Sequence, residues 1–114
     1  MNAIVAADNI ERAIDDAENL FVMAGRAKVK AEAEDLRRKR KRAALYVKYK
    51  GQGKGAGESE QLAEADPEYE TVCTEWEIAA LEAEVLKAQA EAKRMKFEAW
   101  RTANATERAR MNLR

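Results

Sequence analysis

Arg37-Arg38-Lys39-Arg40-Lys41-Arg42 concentrates more chemistry than any other stretch of the chain: six consecutive cations. With 3.6 residues per helical turn, a run of this length wraps the whole circumference, so only part of it can face any one partner helix. Lys48, Lys50 and Lys54 follow, with Tyr46 and Tyr49 interleaved. Cations neutralise phosphate and aromatic rings stack on bases, so bases and tyrosines together suit a single-stranded nucleic acid. The competing reading of the tyrosines is packing at a helix end. A second basic patch, Arg101, Arg108, Arg110 and Arg114, lies near Trp100. Cations also favour a helix C-terminus, which is the structural reading of that patch.

Other chemistry is missing. The 114 residues contain no His, one Cys and one Pro. There is then no imidazole base, no His or multi-Cys metal site and no intrachain disulfide. The expectation is a protein that is not an enzyme and needs no metal or cofactor. Gly53-Lys54-Gly55 falls short of a phosphate loop, which needs Gly, four residues, Gly, Lys and then Ser or Thr after a strand. The acids Glu58, Glu60, Glu64, Asp66, Glu68 and Glu70 lack the spacing of a calcium loop and read as a solvated face and helix start. Cys73 reads as a buried, inert thiol.

Charge is segregated. The 21 bases and 21 acids cancel overall, yet residues 1–27 carry −3, residues 28–54 carry +8, residues 55–84 carry −10 and residues 85–114 carry +5. Alternating blocks either pair within the fold or face partners of opposite sign.

The elements that must position these groups are helical. Charged residues make up 37% and aromatics 6%, with Ala, Glu, Lys, Arg and Leu dominant, the composition of long helices. The pattern predicts one all-α domain over 1–114: helix one over about 8–50, a Gly-rich acidic loop over 51–66, and helix two over about 67–110. Asp8 or Asn9 is placed to cap helix one, Gly25 is a candidate break, and Gly51 is placed as its C-terminal glycine. Asp66 and Pro67 form a start signal for helix two. Helix one carries two apolar stripes, Ile10, Ile14, Ala17, Phe21, Ala24 and Val22, Val29, Ala33, Leu36, Ala43, Val47. Helix two carries a seam, Tyr69, Val72, Trp76, Ala79, Ala83, Leu86, Ala90, Lys93, Phe97, Trp100, and a second row, Ile78, Leu81, Val85, Ala88, Ala92, Met95, Ala99.

A lone two-helix hairpin buries little surface, so a homo-oligomer is expected, with Ile78, Leu81, Val85, Met95, Phe97 and Trp100 at its interface. Folding back about the loop brings Arg37–Arg42 opposite residues near 75–80, within reach of Glu75, Glu77, Glu82 and Glu84. It also brings Asp15, Asp16 and Glu18 opposite Arg101. No apolar run reaches the length of a membrane span, and a free Cys with no secretion signal fits a reducing cytoplasm.

The layout resembles the UvsY-type recombination mediators of bacteriophages. The resemblance runs through roughly residues 28–105. It rests on the basic stretch leading into Leu45-Tyr46-Val47-Lys48-Tyr49, the Gly-rich loop with Lys54, Ala65-Asp66-Pro67-Glu68-Tyr69, and Trp100-Arg101-Thr102-Ala103-Asn104. It implies a small helical oligomer that binds single-stranded DNA and helps a RecA-like recombinase displace single-strand-binding protein. By position it assigns DNA contact to Lys39–Arg42, Tyr46–Lys50 and Lys54; the residues themselves extend this to Arg37 and Arg38. The alternative is a structural or adaptor hairpin that binds another protein without DNA. A third reading, an acidic mimic of nucleic acid, rests on the −10 block.

Overall fold

The structure, a computed structural model, describes residues 3–113, with side chains for residues 9–113. It is all-α, a helical hairpin: α1 (Ala3–Gly51), α2 (Ala56–Ala65) and α3 (Pro67–Asn112). Two compact units divide it, Arg26–Glu84 and the pairing of Met1–Gly25 with Val85–Arg114.

The Arg26–Glu84 unit holds three helical segments. Its core is small: Ala27, Leu45, Ala63, Val72 and Ala79, with Ser59 and Asp66 also buried. The expected seam of α3 faces inward, Tyr69, Val72, Trp76, Ala79 and Ala83 all being buried or half-buried. On α1 the inward row is Ala27, Ala31, Glu34, Arg38, Lys41, Leu45 and Tyr49. The stripe of Val29, Ala33, Leu36, Ala43 and Val47 points the other way and is exposed. The seam of α1 thus carries three charged residues where the apolar pattern gave no sign of one. Pairing with α3 is antiparallel but displaced from the loop-centred expectation: Arg37 meets Glu75, and Lys41 meets Glu68.

The displacement has a local cause, since residues 56–65 are not loop. Gly55, extended at φ −68° and ψ 165°, opens α2, and Glu58 in its first turn suits the helix dipole. Ser59, Leu62, Ala63 and Asp66 recur at the spacing of one helix face and are the residues of this segment that turn inward. Asp66 is extended, as a residue before proline must be, and ends α2. Its carboxylate then caps α3: Oδ1 accepts the Glu68 N–H at 2.8 Å, with Pro67 at the first helical position as expected.

α1 runs through the first loop glycine, and its left-handed stop comes two residues after it. Gly51 is still helical; Gly53, at φ +85°, supplies the left-handed residue. The Lys54 N–H reaches the Tyr49 carbonyl at 3.4 Å and the Gly53 N–H reaches Lys50 at 3.1 Å, the paired bonds of a Schellman stop.

In the second unit the α1 and α3 segments pair antiparallel. Ala90 is buried, and Ile10, Ile14, Ala17, Leu20, Ala24, Leu86, Phe97 and Asn104 are half-buried. Phe21, expected on the inner stripe, is exposed, and Leu20 takes the inward position. Asn9 and Asp8 cap nothing here, because α1 already runs from Ala3; the Asp8 side chain lies outside the described residues. α1 is helical straight through Gly25. No helix among the described residues is long and apolar enough to cross a membrane.

Candidate nucleic-acid interface and docking faces

The basic run is where intramolecular pairing competes most with an outside partner. Five of its six cations meet a carboxylate. Arg37 pairs with Glu75 at 2.5 Å and lies 3.5 Å from Glu34. Arg38 reaches Asp35 Oδ1 through Nη2 at 2.5 Å and Nε at 3.2 Å. Lys39 takes the other oxygen of Asp35 at 3.1 Å, Lys41 approaches Glu68 at 3.6 Å, and Arg42 holds Glu64 at 2.8 Å. Among the described residues Arg40 alone of the six has no such partner, and it is exposed. Glu75 is thus the only one of the four expected acids, Glu75, Glu77, Glu82 and Glu84, to join an ion pair among the described residues.

Arg38 is the member most drawn inward. Its guanidinium lies 4.2 Å from the Trp76 ring centroid, a cation–π contact on the seam itself. The Asp35 hydrogen bond raises the Arg38 pKa above its ordinary value, and Arg38, then Lys39, hold the Asp35 carboxyl below its own. Arg42 is raised by Glu64 in the same way.

The tyrosines divide. Tyr49 donates its hydroxyl to Asp66 Oδ2 at 2.6 Å and is engaged in structure. Tyr46 is half-buried. Lys48 lies 5.3 Å from the Tyr49 ring centroid, and Lys54 approaches Glu58 at 3.8 Å. Lys48 and Lys50 are exposed and take part in no ion pair among the described residues. Of the expected DNA-contact set, Arg40, Lys48 and Lys50 therefore keep their charge free among the described residues.

The Met1–Gly25 and Val85–Arg114 unit shows the opposite balance. Among its described residues no ion pair joins the two helical segments, so the expected contact of Asp15, Asp16 or Glu18 with Arg101 is not made. Arg110 pairs only along its own helix, with Glu107 at 3.8 Å. Arg114 lies outside the described residues.

This unit contains a cleft of about 660 Å³ lined by Asn9, Ile10, Ala13, Lys93, Lys96, Phe97, Trp100 and Asn104. Phe97 and Trp100 stack in it, centroids 6.0 Å apart and planes 25° from parallel. Two lysines and two amides edge the aromatic surface, and no carboxylate lines it among the described residues. Sequence periodicity put Phe97 and Trp100 on the seam; it did not show that the seam opens there. The one sign of it in the sequence was Lys93, a cation at a seam position, which lines the cleft and is exposed.

The second row of α3 is exposed as the spacing implied: Ile78, Leu81, Val85 and Met95 all stand clear of the chain's own core.

Comparison of the chain with family models, with curated proteins and with solved structures returned no match. Fold and faces define an all-α hairpin protein with exposed apolar rows and one basic-edged aromatic cleft.

Proposed function

We propose that the protein is a non-enzymatic accessory protein that binds single-stranded DNA, and that the Phe97–Trp100 cleft is where it does so. The cleft is the observation that carries the reading. A base stacks on the Trp100 and Phe97 rings, phosphates meet Lys93 and Lys96, and the Asn9 and Asn104 amides offer hydrogen bonds to base edges. Among the described residues no lining carboxylate competes with phosphate for either lysine. Arg40, Lys48 and Lys50 supply further free cations in the other unit. The resemblance to UvsY-type mediators supports the wider role: loading a RecA-like recombinase on DNA held by single-strand-binding protein, as a homo-oligomer. The free Cys73 thiol fits the reducing cytoplasm in which that occurs.

The test is fluorescence anisotropy of a labelled oligonucleotide titrated with the full chain at low and moderate salt. Binding should fall steeply with salt. Trp100→Ala should weaken it by about 5- to 100-fold, the range of one base stack. Lys93→Glu with Lys96→Glu should do the same with helicity unchanged. No binding at low salt overturns the reading. Binding that survives these changes but is lost in Arg40→Glu with Lys48→Glu moves the site to α1. The second reading, an adaptor that binds another protein, is favoured by the exposed Ile78, Leu81, Val85 and Met95 row. Partner binding indifferent to charge reversal at Lys39–Arg42, in a chain that ignores DNA, selects it.

A further inference from the structure

The Arg26–Glu84 unit turns two apolar rows outward, and they differ in the charge at their borders. On α1 the row is Val29, Ala33, Leu36, Arg40, Ala43 and Val47, spaced alternately by four and three, and every member is exposed. Such spacing is the heptad seam of a helix that expects a second helix. The charged positions that would border it in a paired helix are Lys30, Glu32, Arg37 and Lys39, and Arg40 sits within it, so the face is net positive. Arg37 and Lys39 already pair inside the chain, with Glu75 and Asp35, which leaves Lys30 and Arg40 as its unpaired cations among the described residues. On α3 the row is Thr74, Ile78 and Leu81, continued along the helix by Val85, again exposed and again spaced four and three. Its four bordering positions are Glu75, Glu77, Glu82 and Glu84. Of these only Glu75 is engaged within the chain among the described residues.

Border charges decide which helices pair. Two copies of the α3 face would set glutamates against glutamates, and two copies of the α1 face would set two net-positive faces, each with Lys30 and Arg40 unpaired, against each other. One face of each kind satisfies both. Each row lies on the side of its helix away from the seam that joins α1 to α3 in this unit, so the two rows point away from each other. A two-fold contact cannot join both pairs of faces at once. We propose that the chain self-associates head to tail, the outer face of α1 in one molecule docking on the outer face of α3 in a second copy. Such a contact is heterologous and builds a ring or an open filament. It does not depend on the Phe97–Trp100 cleft, which is built by the other unit; Arg40 would then face the second copy and not DNA.

Sedimentation equilibrium of the full chain tests it, with two double variants that leave every intramolecular ion pair in place: Lys30→Glu with Arg40→Glu, and Glu77→Lys with Glu84→Lys. The wild-type chain should show a mass above the monomer that grows with concentration. Each variant alone should be monomeric with wild-type helicity by circular dichroism. An equal mixture of the two should recover assembly, because each restores the face the other has reversed. A monomeric wild-type chain overturns the proposal. So does a lysine-to-glutamate and arginine-to-glutamate variant that keeps the wild-type mass, which would show an α3-to-α3 contact. A mixture that stays monomeric overturns it as well.

Discussion

The Tyr49 hydroxyl donates to Asp66 Oδ2 at 2.6 Å, joining the last turn of α1 to the residue that both ends α2 and caps α3. One residue thus serves three elements: carboxylate Oδ2 accepts from Tyr49, Oδ1 accepts the Glu68 N–H, and the backbone N–H of Asp66 reaches the Ala63 carbonyl at 3.3 Å. Asp66 is buried to 8% exposure, so losing a partner leaves a charge in a site that water barely reaches.

Acid should therefore destabilise the Arg26–Glu84 unit. The Tyr49 hydroxyl and then the Glu68 N–H hold the Asp66 carboxyl below its ordinary value, and Arg38 and Lys39 do so for Asp35. A carboxyl of lowered pKa binds fewer protons folded than unfolded. Its contribution is present above the unfolded value of about 4 and is lost as pH falls through the folded value below it. Thermal melts should be level from pH 6 to about 5 and fall progressively below about 4. Asp66→Asn should lower the melting temperature at pH 6 and flatten the acid limb. A limb of unchanged slope in both Asp66→Asn and Asp35→Asn would refute the assignment.

The alkaline limb has the opposite sign. The Asp66 hydrogen bond raises the Tyr49 pKa, and the Cys73 thiol, then burial, raise that of Tyr69, with Arg38 opposing. A phenol of raised pKa contributes stability below the unfolded value of about 10 and loses it as pH rises through the folded value. Tyr49→Phe should reduce stability at neutral pH and make the loss above pH 10 shallower, read from urea midpoints.

Arg38 over Trp76 predicts that the guanidinium shape matters beyond its charge. Arg38→Lys keeps the cation but forfeits the two-nitrogen grip on Asp35 and the planar guanidinium that lies 4.2 Å from the Trp76 ring centroid. The expected cost is about 0.5–2 kcal/mol, the range for a cation–π contact, with a shift in Trp76 emission in a Trp100→Phe background. Equal stability of the Lys variant would mean that the stack contributes nothing.

Much of this was legible from residue order. The α3 seam, the Asp66-Pro67 start and the hairpin itself follow from spacing and from proline's fixed backbone. The inner row of α1 was not legible, because Glu34, Arg38 and Lys41 occupy seam positions, and apolar periodicity follows the exposed Val29, Leu36 and Val47 instead. Nor was α2: Gly55 and Gly57 read as loop, although Ser59, Leu62, Ala63 and Asp66 already stood at helical spacing. The basic run was visible at once. Its neutralisation was misplaced, because α2 sets the register of α3 and supplies Glu64, so Arg42 and Lys41 meet acids nearer the connection than the loop-centred fold implies.

Ser59 is a buried residue that no partner satisfies. It is fully enclosed, and its Oγ has no hydrogen-bond partner among the described residues. Removing a buried, unpaired hydroxyl is neutral or favourable, whereas filling a close-packed site costs about 1–3 kcal/mol. Ser59→Ala should hold or raise the melting temperature and Ser59→Leu should lower it. A clear loss in the Ala variant would reveal a partner for the hydroxyl.

Two glycines should respond to alanine with opposite signs. Gly25 lies inside α1, and a Cβ added there meets nothing within 4 Å. Alanine removes the backbone entropy that glycine loses on entering a helix, so Gly25→Ala should stabilise by about 1 kcal/mol. Gly53 also has open space around an added Cβ, but its φ of +85° puts an L residue in the left-handed region. There the side chain's own backbone is the obstacle, and Gly53→Ala should destabilise by about 1–2 kcal/mol by straining the Schellman stop of α1. Space is the same at both sites and only the dihedral differs, so urea denaturation of the two variants separates backbone conformation from packing. A stabilised Gly53→Ala chain would mean that α1 does not end in a left-handed residue, and a destabilised Gly25→Ala chain would mean that α1 is not continuous there.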